Sequence, residues 1–65
     1  MKYFDSIASV RKSGLPVDPI FEDEINYYLR KGEKLAIKDG WLAIVDLNGV
    51  LIKNFQTYGN IVIDD

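Results

Sequence analysis

Apolar and polar residues alternate in short runs through the second half of the chain, and glycine-containing dipeptides separate these runs. Asp39-Gly40 and Asn48-Gly49 flank the most apolar run. Each dipeptide favours a two-residue type I′ turn, because both central residues of that turn need a positive φ. The pattern therefore predicts an antiparallel β-meander with strands over residues 34–38, 41–47, 50–56 and, after a turn signal at Gly59-Asn60, 61–64.

The first half of the chain has helical spacing. Apolar residues three and four positions apart predict a first helix over residues 3–13, which Pro16 prevents from continuing. Asp18 is a favourable N-cap for a second helix, Pro19 suits its first turn and Gly32 ends it. The predicted fold class is α+β, with two N-terminal helices packed on a three- or four-stranded antiparallel β-meander.

Two-residue turns would also set the register of the sheet, because side chains alternate between its faces. The predicted facing pairs are Leu35–Ile44, Ile37–Leu42 and Asp46–Leu51. One face then carries Leu35, Ile37, Leu42, Ile44, Leu51 and Phe55, with Asp46 and Lys53 near one end. The opposite face carries Ala36, Trp41, Ala43, Val45, Leu47, Val50 and Ile52, flanked by Lys34, Lys38 and Asn54. Both faces are therefore apolar.

Two short helices can cover one face of such a sheet but hardly both, so we expect one apolar face to meet another chain. Lys34 and Lys38 flank the second set of residues. A lysine can extend along the rim of an interface but is costly beneath a helix. We therefore expect the first set to pack under the helices. The predicted partner-binding residues are Trp41, Val45, Leu47, Val50 and Ile52.

The composition limits the chemistry that is available. A sequence of 65 residues is too short to form more than one domain. The chain has no Cys and no His, which excludes disulfides and the usual zinc sites, so neither metal nor cofactor is expected. A net charge of −2 weighs against binding to a phosphate backbone, and a nucleic-acid partner is not expected.

No run reaches the roughly 18 apolar residues of a membrane helix, and no signal peptide is recognisable, so a membrane partner is not expected and a cytoplasmic location is the default. Ser6, Ser9 and Ser13 have no visible base, which favours a protein that is not an enzyme.

The resulting hypothesis is a small acidic protein–protein interaction module that associates with itself or with another protein. It would be a phage- or mobile-element-encoded inhibitor or accessory protein that binds and blocks a host protein.

Two alternatives remain open. The stretch Gly32-Glu33-Lys34-Leu35-Ala36-Ile37, followed by Gly40 and by Ala43-Ile44-Val45, resembles the helix–strand–strand unit of the Phd/YefM class of antitoxins. This resemblance implies an antitoxin or immunity-type protein that sequesters a toxin, although the family's N-terminal strand and basic DNA-contacting start are not predicted here. The other alternative is a nucleic-acid mimic that uses the carboxylates Glu22, Asp23, Glu24, Asp46, Asp64 and Asp65.

Overall fold

In the part of the chain that the structure describes, four antiparallel strands form one sheet in which the spatial order follows the chain order. The computed structural model describes residues 1–59, and the strand predicted over residues 61–64 lies outside them. The strands are β1 (Lys2–Phe4), β2 (Lys34–Lys38), β3 (Trp41–Val45) and β4 (Leu51–Thr57). Between β1 and β2 lie α1 (Ile7–Lys12), a 3₁₀ turn (Pro19–Phe21) and α2 (Glu22–Arg30). The predicted α+β class with an antiparallel meander is confirmed.

The N-terminus corrects the prediction of two N-terminal helices. Residues 2–4 form a strand that pairs with β2, with Tyr3 opposite Ala36. Helix α1 has only six residues, because Ser6 is extended and caps it, its side chain accepting a hydrogen bond from the Ser9 amide at 3.1 Å. Within residues 1–59, only α2, with nine residues, is a helix of more than two turns.

The start of the second helical segment agrees with the N-cap that the sequence indicates. The Asp18 carboxylate accepts a hydrogen bond from the Ile20 amide at 3.1 Å, and Pro19 follows it. Asp18 caps the 3₁₀ turn rather than α2 itself, and α2 continues directly from that turn. The helical segment ends before Gly32, whose φ is +95°.

The β2–β3 hairpin confirms the predicted turn. Asp39 has φ +54° and Gly40 has φ +78°, the positive values that a two-residue type I′ turn requires. Lys38 pairs with Trp41 across this turn. The two predicted facing pairs in this hairpin, Leu35–Ile44 and Ile37–Leu42, are both present.

The β3–β4 hairpin corrects the second predicted turn. Strand β3 ends at Val45 rather than at residue 47, and Leu51 lies opposite Val45 rather than opposite Asp46. The ladder has register shifts beside Leu42 and beside Ile44, which are β-bulges or irregularities that strengthen the local twist. Because of the changed pairing, Leu51 is 42% exposed and does not pack under the helices.

The core lies between the helices and one face of the sheet. Its buried members are Ile7, Val10, Val17, Ile25, Leu35, Ile37, Leu42, Ile44, Phe55 and Tyr58. Except for Leu51, the sheet residues predicted to pack under the helices are buried in this cluster. We call the opposite side of the sheet the outer face. By alternation along the strands it carries Tyr3, Lys34, Ala36, Lys38, Trp41, Ala43 and Val45.

The end of β4 fastens the segment between the helices to the sheet. The Tyr58 hydroxyl donates a hydrogen bond to the Pro16 carbonyl at 2.8 Å, and the Tyr58 amide donates to the Gly40 carbonyl at 2.8 Å. The Gln56 side chain accepts from the Asp18 amide at 2.9 Å. The bonds to Pro16 and Asp18 join parts of the chain that are about 40 residues apart, so the end of β4 closes the domain.

Gly40 should be the least replaceable of the turn glycines. A Cβ at Gly40 would lie 2.9 Å from the Gly59 carbonyl oxygen, whereas a Cβ at Gly14 would meet nothing within 4 Å. Both have positive φ, so each alanine variant loses about 1–2 kcal/mol from backbone strain. The clash should cost Gly40→Ala at least about 1 kcal/mol more than Gly14→Ala in urea unfolding. Equal losses would show that the contact with Gly59 is absent.

Tyr58 should give the domain a measurable dependence on alkaline pH. Burial raises the pKa of the Tyr58 phenol, so the folded state holds this proton more tightly than the unfolded chain does. The corresponding stability is complete below the unfolded pKa of about 10 and is lost as the pH rises through the higher folded pKa.

Tyr58→Phe should therefore show a shallower fall in the free energy of unfolding than the unmodified protein between about pH 9.5 and 11. At neutral pH the variant should lose about 1 kcal/mol with the hydrogen bond to Pro16. Urea unfolding at a series of pH values measures both effects. Parallel pH profiles for the two proteins would contradict the burial of this phenol.

Candidate functional site

The tip of the β3–β4 hairpin, residues 46–50, is built around the side chain of Asp46. Its carboxylate accepts hydrogen bonds from the amides of Asn48 at 2.8 Å and Val50 at 2.9 Å. The Asp46 amide donates to the Val50 carbonyl, and the Gly49 amide donates to the Asp46 carbonyl, both at 3.0 Å. The loop between the paired residues Asp46 and Val50 thus has three residues, and its last, Gly49, has φ +81°.

This geometry explains why the predicted two-residue turn does not form. Asn48 does not have a positive φ, since Asp39 is the only non-glycine residue with one in residues 1–59. A three-residue loop that ends in a left-handed glycine is the next most common hairpin connection. Asp46 selects it, because an aspartate readily accepts a hydrogen bond from the amide two residues later.

The hairpin tip turns back across the outer face of the sheet. Lys38 extends from that face and donates from Nζ to the Gly49 carbonyl at 3.4 Å. A Cβ at Gly49 would lie 3.2 Å from both the Met1 Cε and the Tyr3 Oη atoms. The tip therefore contacts the N-terminal strand and the far end of β2. Gly49 allows this close approach because it has no side chain.

The position of the tip accounts for the buried residues on the outer face. Ala36, Ala43 and Val45 have 0% exposure, although they lie on the side of the sheet away from the helices. The tip meets the Lys38 and Tyr3 side chains on this face, and Tyr3 is the cross-strand neighbour of Ala36. Part of the second apolar face is thus covered by the chain itself.

The five predicted partner-binding residues differ in their exposure to solvent. Val45 is fully buried, whereas Leu47 is 78% exposed, Val50 59%, Ile52 42% and Trp41 37%. Leu47, Val50 and Ile52 lie in and directly after the hairpin tip, whereas Trp41 lies at the opposite end of β3. Sequence reasoning missed Leu51, which is 42% exposed. We call Leu47, Val50, Leu51 and Ile52 the hairpin surface.

A shallow groove of about 350 Å³ lies beside the hairpin tip. It is lined by Tyr3, Phe4, Asp5, Lys34 and Leu47. Strand β1 supplies one wall, so the groove could not be found without the N-terminal strand. The signal for that strand was the pair Tyr3-Phe4, since aromatic residues favour strands.

Charges are distributed unequally between the two sides of the sheet. On the helix side, Arg11 is paired with Glu22 at 2.8 Å and Lys53 is paired with Glu24. The hydrogen bond from Lys53 to Glu24 raises the pKa of Lys53. On the outer face, Lys34 and Lys38 have no carboxylate partner within residues 1–59. The groove beside the hairpin tip carries both signs of charge, because Asp5 and Lys34 both line it.

Three of the carboxylates considered for nucleic-acid mimicry have structural roles. Glu22 and Glu24 form ion pairs with different elements, and Asp46 holds the hairpin tip. Within residues 1–59 no three acidic side chains are grouped so that they could hold a metal ion. Asp64 and Asp65 lie outside the described residues.

No protein-family model, curated protein or solved structure matches this chain. Among the helices of residues 1–59, none has the length and apolar character needed to cross a membrane. The functional argument therefore depends on the hairpin surface.

Asp46→Ala should loosen the hairpin tip. The two amides that bond to its carboxylate would lose their acceptor, and we expect a loss of about 1–2 kcal/mol in the free energy of unfolding. Asp46→Asn is the matched control, because it keeps an acceptor oxygen at the same position. Urea unfolding should therefore rank the asparagine variant clearly above the alanine variant. Indistinguishable variants would mean that the side chain does not hold the loop.

Proposed function

We propose that this chain is a small, non-enzymatic protein–protein interaction module whose hairpin surface binds another protein and blocks it. The observation that supports this proposal is the exposure of four large aliphatic side chains, with Leu47 at 78% and Val50 at 59%. Exposed aliphatic groups that are close together in a loop and at the start of an edge strand are typical of interaction sites.

The construction of the hairpin tip also supports a binding role. The side chains of Asp46 and Lys38 both form hydrogen bonds with the backbone of the tip, so Leu47 and Val50 lie on an ordered loop. A loop that is already ordered loses less conformational entropy when it binds, which strengthens association. The tip is therefore better suited to recognition than a free loop of the same composition.

The serine side chains favour a role other than catalysis. Ser6 caps α1 and lies 3.1 Å from the Ser9 hydroxyl, and Ser13 donates to the Val10 carbonyl at 2.6 Å. All three hydroxyls thus make local bonds at the ends of one helix. A nucleophile would need a neighbouring base, and the sequence contains no histidine to supply one.

The biological setting belongs to the same proposal. A short, acidic chain without cysteine fits a phage- or mobile-element-encoded inhibitor or accessory protein that acts on a host protein in the cytoplasm. In the alternative form of the proposal, copies of the chain associate with each other through this same hairpin surface. Both forms depend on Leu47 and Val50, so one set of variants tests them together.

An antitoxin or immunity-type protein that sequesters a toxin is the second candidate. Strand β1, which pairs with β2, supplies an N-terminal strand that the sequence did not predict. Up to β3 the element order is strand, helix, 3₁₀ turn, helix, strand, strand, which brings this part of the chain nearer to the Phd/YefM class it resembles, and β4 follows it. In this candidate the blocked protein is a toxin.

Leu47→Asp should weaken association at least tenfold, because it replaces the most exposed aliphatic side chain of the hairpin surface with a charge. Ile20→Asp is a matched control, since Ile20 is also 78% exposed but lies in the 3₁₀ turn at the start of α2. Circular dichroism should show that both variants fold.

Light scattering at micromolar concentration measures self-association. Capture from the cells in which the protein is made, with mass spectrometry, identifies a heterologous partner. The proposal predicts that Ile20→Asp behaves like the unmodified protein and that Leu47→Asp does not. It is wrong if Leu47→Asp associates normally, or if both substitutions are equally harmful.

A further inference from the structure

The hairpin tip contains an asparagine that is followed directly by a glycine. Asn48 is exposed, and within residues 1–59 it forms its hydrogen bond through the backbone amide rather than through the side-chain carboxamide. Gly49 has no Cβ that would hinder the approach of the Asn48 side-chain carbon to the Gly49 nitrogen. The carboxamide is therefore free to rotate towards the amide of the next residue.

Adjacent groups of this kind can close a five-membered ring. The Gly49 nitrogen loses its proton to hydroxide and forms a bond to the carbonyl carbon of the Asn48 side chain. The carbon–nitrogen bond of the carboxamide then breaks, and the amino group takes up a proton from water and leaves as ammonia. Water opens the ring at either carbonyl, which leaves aspartate or isoaspartate at this position. Asparagine is a thermolabile residue in proteins.

The order of the hairpin tip slows this reaction. The Gly49 amide donates to the Asp46 carbonyl at 3.0 Å, so this hydrogen bond must break before the nitrogen can attack. The Asp46 carboxylate accepts from the amides of Asn48 and Val50, and its charge disfavours a negative nitrogen in the same loop. The reaction should therefore proceed mainly from an opened form of the tip.

The other asparagines of residues 1–59 lie in regular secondary structure. Asn26 lies in α2 and precedes Tyr27, whereas Asn54 lies in β4 and precedes Phe55. Ring closure at either position would have to distort the helix or the sheet, and an aromatic side chain on the following residue hinders the approach. These two residues are therefore internal controls within the same molecule.

We propose that Asn48 is a site of spontaneous deamidation and that this modification disassembles the hairpin tip. Both products place a carboxylate in the loop beside Asp46, and isoaspartate also adds a methylene group to the backbone. A longer loop cannot keep both the bonds to the Asp46 carboxylate and the close approach of Gly49 to Tyr3. The consequence for binding rests on the proposed function, because Leu47 belongs to the hairpin surface. It adds a covalent change that ends partner binding.

Peptide mapping by mass spectrometry tests the chemistry. The protein is kept in mildly alkaline buffer, samples are digested with pepsin at acidic pH, and isoaspartate is located by enzymatic methylation. Asn48 should be converted about tenfold faster than Asn26 or Asn54, with release of ammonia. Asn48→Gln should remove the conversion at this position, because glutamine would have to form a larger ring.

Variants at two aspartates test the control of the reaction by the hairpin tip. Asp46→Ala should raise the rate at Asn48 about tenfold, because the amides that bond to its carboxylate lose their acceptor and the tip opens more often. Asp23→Ala removes the same charge from an exposed position in α2 and should leave the rate unchanged.

The modified protein carries an additional negative charge, so ion-exchange chromatography separates it from the unmodified protein. In the modified fraction, the amide NMR signals of Tyr3 and Val50 should move, because both residues meet the tip. Association, measured by light scattering and by capture, should be about tenfold weaker in this fraction. Asn48→Gln that is aged in the same way should keep its association.

Several outcomes would overturn the inference. The chemistry is wrong if Asn26 or Asn54 is converted as fast as Asn48, if Asn48 stays intact while a Leu-Asn-Gly-Val peptide is converted, or if Asp46→Ala and Asp23→Ala age alike. The effect on the tip is wrong if the modified fraction keeps the NMR signals or the association of fresh protein. If fresh protein does not associate, the proposed function and this consequence fail together, whereas the peptide map alone decides the conversion of Asn48.

Discussion

The register set by the Asp39-Gly40 turn is the constraint on which the rest of the domain depends. With positive φ at both residues, the turn places Leu35 opposite Ile44 and Ile37 opposite Leu42. These four side chains face the helices and are buried. A slip of one residue would move all of them to the outer face. The turn also places Ala36 and Ala43 opposite each other on the outer face, where the hairpin tip crosses.

The crossing of the hairpin tip shows how a 65-residue chain deals with a sheet that is apolar on both faces. Helices cover one face, and residues 46–50 cover part of the other. This arrangement buries Ala36, Ala43 and Val45 but leaves Leu47 and Val50 outward, because they lie in the covering loop itself. The apolar side chains that remain exposed therefore lie on the hairpin surface, where solvent reaches them.

Local signals predicted the parts of the fold that local interactions determine. The turn at Asp39-Gly40 and the cap at Asp18 follow from backbone preferences within a few residues. Strand β1 could not be predicted in this way, because Tyr3 is fixed by pairing with Ala36, 33 positions away in the sequence. The aromatic residues there suit a strand, but they also fit a helical spacing.

The candidate site was predictable only in part, for related reasons. Leu47 and Val50 could be predicted as residues of the site, because they belong to an apolar run that ends in a turn. The burial of Val45 and the exposure of Leu51 depend on the Asp46 carboxylate and on the register shifts between β3 and β4, which change the pairing along β3. The groove needs β1, β2 and the hairpin tip together, and hydrophobic patterning along one strand cannot reveal such a combination.

The central claim is that the hairpin tip covers the outer face and displays Leu47 and Val50. NMR relaxation of the methyl groups in the presence of a soluble paramagnetic gadolinium chelate tests it most directly. The account predicts strong relaxation for Leu47 and Val50 and protection for Ala36, Ala43 and Val45, as for the core residue Ile44. Relaxation of Ala36 and Ala43 as strong as that of Leu47 would show an open outer face and would contradict the account.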